Sequence, residues 1–165
     1  NTSKDSMSTL LKFVNNPKQH PWIRAETRVA LNILGHYEFL RNDSLDYKFA
    51  KESNVKTSGI SLETPCDIIK SLLRDELMTM SDMVANSGTF QIQSLEKQRS
   101  SVTLNGNLPS DKGEWSLDIG TKDNERIPVY YRWRTGPKSA AGYAGVLEKR
   151  QDQWRVVFWK MVWIS

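Results

Sequence analysis

The last twelve residues, Trp154–Ser165, constrain the fold more than any other part of this sequence. Alternation puts apolar side chains on both sides of the segment. One side holds Trp154, Val156, Phe158, Lys160, Val162 and Ile164, and the other holds Arg155, Val157, Trp159, Met161 and Trp163. This pattern is typical of a strand that is covered on both faces. The chain's own helices can cover one face, and the second needs the inside of a curved sheet, a partner chain or a ligand.

The first half of the chain has the three- and four-residue spacing of helices. Met7, Leu10, Leu11 and Val14 mark a first helix that stops at Asn15-Asn16-Pro17. Pro21 opens a second helix, whose apolar stripe runs through Trp22, Ala25, Val29, Ile33 and Tyr37. Residues 45–61 are ambiguous, and Leu45–Ala50 is consistent with a short helix.

A third helix is predicted to start at Thr64-Pro65. Thr64 suits the N-cap, and Pro65 suits the first helical position, where a missing N–H costs nothing. The apolar residues that follow form a broad face: Ile68, Ile69, Leu72, Leu73, Leu77 and Met80.

At about Ala85–Gly88 the spacing of apolar residues changes to every second residue, which is typical of strands. The candidate strands are Thr89–Leu95, Ser101–Gly106, Glu114–Ile119, Ile127–Arg134, Gly142–Lys149 and Trp154–Ile164. Turn-forming residues separate them. We therefore predict one α+β domain over residues 1–165, in which helices (1–84) pack on a curved antiparallel sheet of about six strands (85–165).

Charge is concentrated at the aromatic end of the chain. From Arg126 to Ser165 there are 8 Lys and Arg against 2 Asp and Glu, whereas the whole chain has a net charge of +4. One cysteine excludes an intramolecular disulfide, and no apolar run is long enough to span a membrane. The first residue is Asn1, which is consistent with a processed chain and weakly favours an exported protein.

Residues able to support catalysis or bind a metal or cofactor are few. His20 and His36 lie sixteen residues apart and Cys66 is alone, so no metal site or cofactor is predicted. Cys66 has no histidine near it in sequence and is interpreted as a core residue. Acid–base chemistry in a pocket could use Tyr37, Asp46, Asp118 and Glu148, although no spacing singles them out, so no catalytic residue is assigned.

The strongest candidate site is a basic, aromatic surface on the C-terminal strands. Its members are Tyr130, Arg132, Arg134, Tyr143, Arg155, Trp159 and Trp163. Such a surface can meet a protein partner, a second copy, or single-stranded nucleic acid by stacking and charge. A helix-turn-helix formed by Asp46–Lys56 and Thr64–Met78 is an alternative, but its second helix has few groups that read bases.

The hairpin Gly-Val-Leu-Glu-Lys-Arg-x-x-x-Trp-Arg-Val-Val, Gly145–Val157, resembles the C-terminal part of NTF2-like domains. That resemblance implies a cone of helices and curved sheet. It also implies one of three roles: small-molecule enzyme, binding pocket, or non-catalytic assembly domain, including periplasmic domains of conjugation and type IV secretion machinery. Our prediction is a non-catalytic binding or assembly module, with a nucleic-acid-binding protein and an NTF2-like enzyme as alternatives.

Overall fold

The structure is a computed structural model that describes residues 4–37, 48–50, 56–57, 60–78, 89–108 and 112–165. In those ranges the helices are α1 (Lys4–Val14), α2 (Pro21–Leu34) and α3 (Glu63–Arg74). The strands are β1 (Lys48–Ala50), β2 (Lys56–Thr57), β3 (Thr89–Gln91), β4 (Ser94–Gln98), β5 (Ser101–Asn107), β6 (Glu114–Ile119), β7 (Arg126–Gly136), β8 (Ser139–Arg150) and β9 (Gln153–Ile164). Asp46, Met80 and the predicted change of period at Ala85–Gly88 lie outside the described residues.

The main sheet confirms the predicted α+β architecture. Strands β4 to β9 form six antiparallel neighbours in sequence order, and the two-residue β2 adds to β4 in parallel. β1 and β3 form a separate parallel pair. The predicted strand Thr89–Leu95 is therefore divided between two sheets, and Ile92 and Gln93 link β3 to β4.

The β7–β8 hairpin has two long strands and a tight tip. Residues 134–142 continue both strands, and the chain turns at Pro137-Lys138.

Helix α2 begins at Pro21 as predicted, but it ends at Leu34, so Tyr37 of the predicted stripe lies beyond it. The helix also buries a different side from the one predicted. His20 caps it by accepting a hydrogen bond from the Trp22 N–H, and Gly35 ends it in the left-handed conformation at φ 78°. Trp22 and Ile33 are 59% and 53% exposed, so the predicted stripe is wrong at both. The helix instead turns Arg28 and Asn32 inward, because both find buried polar partners.

Helix α3 starts two residues earlier than predicted. Leu62 occupies the N-cap position without a side-chain hydrogen bond, so Thr64 is not the cap and Pro65 lies within the first turn. A first-turn N–H has no partner within the helix, which is why proline is tolerated there. The short strands β1 and β2 occupy 48–50 and 56–57, where a first helix of a helix-turn-helix would lie, so that alternative is wrong.

The core lies between the sheet and helices α2 and α3. Fully buried leucines and isoleucines of α3 meet Leu104 of β5, Leu117 of β6 and Leu147 of β8. Cys66 is buried in the same cluster, as expected of a small core residue. No helix of the described ranges is both long enough and apolar enough to span a membrane.

Candidate protein-binding edge and face

Two β-bulges decide which way the side chains of β9 point. Leu147 pairs with Val156 but Val146 pairs with Phe158, and the register shifts again between Tyr143 and Gly142. Each bulge adds one residue to β9 and breaks the strict alternation. The two faces read from the sequence are therefore exchanged between the bulges, from Phe158 to Met161, and the second bulge restores them at Trp163 and Ile164. Trp159 and Met161 join Val156 on the inner face, toward the helices, while Phe158, Lys160 and Trp163 lie on the outer face.

Aromatic rings fill the inner face next to Trp159 and belong to or pack against the main core cluster. Tyr131 and Tyr143 stack at 6.1 Å between ring centroids, and Tyr143 and Trp159 stack at 5.6 Å with planes 14° apart. Gly145 makes this possible, because a Cβ there would lie 2.5 Å from Cε3 of Trp159. Burial raises the pKa of Tyr131 well above its usual value. The second face of β9 is thus covered over this stretch by the chain's own side chains.

Arg155 is also an interior residue. It is 3% exposed, its guanidinium carbon lies 4.5 Å from the Tyr37 ring centroid, and Nη2 donates to Gln153 Oε1 at 2.6 Å. Of the seven predicted surface residues, burial removes Tyr143 and Arg155 from any exposed surface, and Trp159 points inward. Sequence alternation could not show these positions, because that of Trp159 depends on the first bulge and the burial of Arg155 depends on Tyr37, which is distant in sequence.

The other four predicted residues lie on the outer face, and three of them are joined by contacts that centre on Tyr130. The Trp163 indole covers Gly142 and donates its N–H to the Tyr130 hydroxyl. The Arg132 guanidinium carbon lies 5.7 Å from the Tyr130 ring centroid. We call Tyr130, Arg132, Arg134 and Trp163 the outer cluster.

The outer cluster is only partly basic. Arg132 donates to Ser116 Oγ at 3.1 Å and lies 3.6 Å from Asp118 Oδ2. A groove of about 420 Å³ runs beside these residues, and Glu114 lines it together with Arg132, Arg134 and Trp163. The carboxylates of Asp118 and Glu114 offset much of the positive charge there.

Strand β9 forms one edge of the main sheet, and its first half is covered. Ser71 Oγ and Arg74 Nη2 donate to the Trp154 carbonyl at 2.6 and 3.0 Å. Asn32 Nδ2 donates to the Val156 carbonyl at 3.2 Å. Side chains of α2 and α3 thus take the place of a neighbouring strand. We call these residues, Asn32, Ser71 and Arg74, the edge clamp.

A buried carboxylate orients the clamp. Asp75 Oδ2 accepts from Asn32 Nδ2 at 2.9 Å, and Asp75 Oδ1 lies 3.4 Å from Arg74 Nε. Burial raises the pKa of Asp75, and the positive charge of Arg74 partly opposes that rise. Next to it, Glu76 pairs with Arg28 at 2.8 Å. No sequence motif marks this network, apart from polar residues that interrupt the apolar faces of α2 and α3.

The second half of the β9 edge has no such cover from the residues that the structure describes. Phe158 and Val162 are both 48% exposed, and Ile164 is 69% exposed. Ser165 exchanges two backbone hydrogen bonds with Ala140, so alternation directs the N–H and C=O of Ile164 away from β8. We call Phe158–Ile164 the open edge.

The residues considered for acid–base chemistry do not converge on one site. Asp118 is on the outer face, where it accepts from Thr103 Oγ1 at 2.6 Å. Tyr37 and Glu148 both bind Arg150, at 3.0 and 2.6 Å. These hydrogen bonds, with help from Arg126, lower the pKa of Glu148, which is the wrong direction for a general acid at neutral pH. In the described ranges no group of His, Cys, Asp and Glu is arranged to hold a metal ion.

The fold and the site together define an α+β domain whose sheet ends in an edge strand, half covered by its own helices and half open. Comparison with protein-family models, curated proteins and solved structures gives no match to this chain.

Proposed function

We propose that this chain is a non-catalytic binding and assembly module that accepts a β-strand from a protein partner along the open edge. The single observation behind this proposal is the contrast between the two halves of β9. Helix side chains satisfy the outward carbonyls of Trp154 and Val156, whereas no described residue covers Phe158–Ile164 in the same way.

An edge of this kind favours strand addition on physical grounds. Unprotected edge strands pair readily with other chains, and proteins usually protect them with charges, proline or a covering segment. The open edge has no proline and one charge, Lys160. A partner strand would gain main-chain hydrogen bonds there, and its side chains would cover Val162 and Ile164.

Photo-crosslinking in cells that make the natural protein tests the function. A photoreactive residue at position 162 should capture a defined partner, and the same residue at exposed Lys97 should not. The substitution Ile164→Pro removes an N–H that faces away from β8 and should abolish the crosslink. Ile164→Thr keeps that N–H and should retain it. A crosslink that survives Ile164→Pro, or none above the Lys97 control, would overturn the proposal.

We further propose that the module serves as a periplasmic scaffold domain of a secretion or conjugation apparatus. The support is the resemblance of the Gly145–Val157 hairpin to NTF2-like domains, together with helices packed on a bulged antiparallel sheet. Cell fractionation tests the compartment. Recovery with the periplasm or cell envelope is expected, and recovery with the cytosol would contradict the assignment.

A second candidate function, binding of single-stranded nucleic acid, is supported by the outer cluster. Tyr130 and Trp163 offer aromatic rings beside Arg132, an arrangement on which bases can stack at about 1–3 kcal/mol each. Titration with labelled single-stranded DNA and RNA of twelve nucleotides at 50 mM salt should show binding. The affinity should fall steeply with added salt and should be weakened by Trp163→Ala. A flat response at 50 mM salt would remove this candidate.

A further inference from the structure

We infer that the strand which the open edge accepts is acidic: an extended segment of a different protein that alternates apolar residues with Asp or Glu. This inference rests on the proposed function, because it concerns the same edge. It specifies the charge of the partner and excludes a second copy of this chain as the occupant.

The face pattern of the open edge sets the pattern of its partner. Trp159 and Met161 point inward, where an incoming strand must also be apolar. Phe158 and Lys160 point outward, so the same strand meets one apolar and one cationic neighbour on that side. Directly opposite side chains lie within about 4.5–5.5 Å at Cβ, so a carboxylate facing Lys160 can form a cross-strand ion pair.

Lys160 is available for that pair. It is exposed and makes no ion pair with any residue that the structure describes. In contrast, Glu148 is already bound by Arg126 and Arg150, at 3.0 and 2.6 Å. An acidic strand would therefore bring Lys160 a partner that the described residues of its own chain do not supply.

The C-terminal part of the chain as a whole also has an excess of positive charge. Between Arg126 and Ser165 the chain has 8 basic residues against 2 acidic ones. Arg132 and Arg134 are exposed on the same outer face as Lys160. They lie on β7, too far for contact with a strand beyond β9, and Asp118 and Glu114 offset much of their charge, so the attraction of an acidic strand depends mainly on Lys160.

The same charges disfavour a second copy. Two chains that each have a net charge of +4 repel one another at low salt. Pairing β9 with its own copy would bring a second Lys160 close to the first, and like charges across a strand pair are destabilising. An acidic segment meets neither penalty.

Three synthetic peptides test the inference. They share ten residues and one apolar pattern, and they differ only in having Glu, Gln or Lys at the alternate positions. We expect the Glu peptide to bind most tightly and the Lys peptide most weakly, with a difference in Kd of up to about fivefold between the Glu and Gln peptides from the single pair with Lys160. The difference should shrink at 0.3 M salt, because exposed charges are screened. Lys160→Glu should reverse the order of the Glu and Lys peptides.

The two Ile164 variants test whether the peptides bind along the open edge. Ile164→Pro should lose all three peptides, and Ile164→Thr should keep them. Amide hydrogen exchange should slow within Phe158–Ile164 when the Glu peptide is bound. Equal binding of the Glu and Gln peptides would overturn the acidic inference and leave the strand-accepting function standing. A dimer that excludes the peptides would show that a second copy is the occupant. A monomer that binds none of them would overturn the proposed function itself.

Discussion

Asn32 of α2 donates a hydrogen bond to the carbonyl oxygen of Val156 in β9, a residue 124 positions further along the chain. The same amide nitrogen donates to Asp75. A single buried side chain thus joins two helices to the edge of the sheet. This bond marks where the covered half of β9 ends, so it also fixes where a partner could begin to bind.

Replacing Asn32 with alanine should destabilise the fold by about 2–3 kcal/mol. The change leaves the Val156 carbonyl without its side-chain donor and removes the amide partner of buried Asp75, and an unsatisfied buried group costs about 1–3 kcal/mol. Urea unfolding measures the loss. Asn16→Ala is the matched control, since Asn16 is exposed and its side chain bonds only locally, to the Lys18 N–H. Equal losses for the two variants would contradict the clamp.

Asp75→Asn should change how stability depends on pH. The pKa of folded Asp75 is raised above 3.8, so the folded protein holds this proton more tightly than the unfolded chain. Its contribution is fully present below about pH 3.8 and is lost as pH rises through the folded pKa. We therefore expect the wild type to lose stability relative to Asp75→Asn as pH rises, measured by urea unfolding across that range. A difference that stays constant with pH would argue against the buried carboxylate.

Glu148→Gln should change the pH dependence of stability in the opposite direction to Asp75→Asn. Hydrogen bonds from Arg150 and Arg126 lower the pKa of Glu148 below 4.5. Its stabilising contribution is present above about pH 4.5 and is lost as pH falls through the folded pKa. The wild type should therefore lose its advantage over Glu148→Gln on acidification, as followed by thermal unfolding. Added salt should reduce that advantage at neutral pH, and no response to either acid or salt would count against the pairing.

Gly145→Ala should cost more stability than Gly142→Ala. A Cβ at either position meets an indole ring, Trp159 at 2.5 Å or Trp163 at 2.2 Å. The Trp159 ring is held in the inner aromatic stack, so overpacking there should cost about 1–3 kcal/mol. The Trp163 ring lies on the outer face and can move into solvent. Chemical unfolding and near-ultraviolet circular dichroism compare the two, and equal costs would show that the inner ring is not confined.

The order of elements followed from local sequence alone. Spacing of apolar residues, Pro21 and the turn residues between strands placed α1, α2 and the strands β5 to β9 close to their observed positions, because these signals act over a few neighbouring residues. The start of α3 was missed by two residues, since Leu62 caps the helix without any side-chain bond that a sequence pattern could indicate.

The candidate surface was predictable only in part. Tyr130, Arg132, Arg134 and Trp163 do share the outer face, as alternation along β7 suggested for the first three. Tyr143 and Arg155 are buried, and Trp159 joins them on the inside. For Trp159 the reason is register, because the first bulge in β9 has no distinctive residue type in the sequence and moves Trp159 to the other face. Arg155 is buried because Tyr37, distant in sequence, packs on it, and Tyr143 because the Tyr131 and Trp159 rings stack on it.

The sequence by itself determined that this chain forms helices followed by an antiparallel sheet, and that its C-terminal strand would be apolar on both sides. Only the tertiary structure decided what covers that strand. Asn32, Ser71 and Arg74 reach the backbone of β9 from more than 75 residues away, so their role depends on packing between distant segments. That packing closes the first half of the strand and leaves Phe158–Ile164 open, and this division is what points to a partner strand.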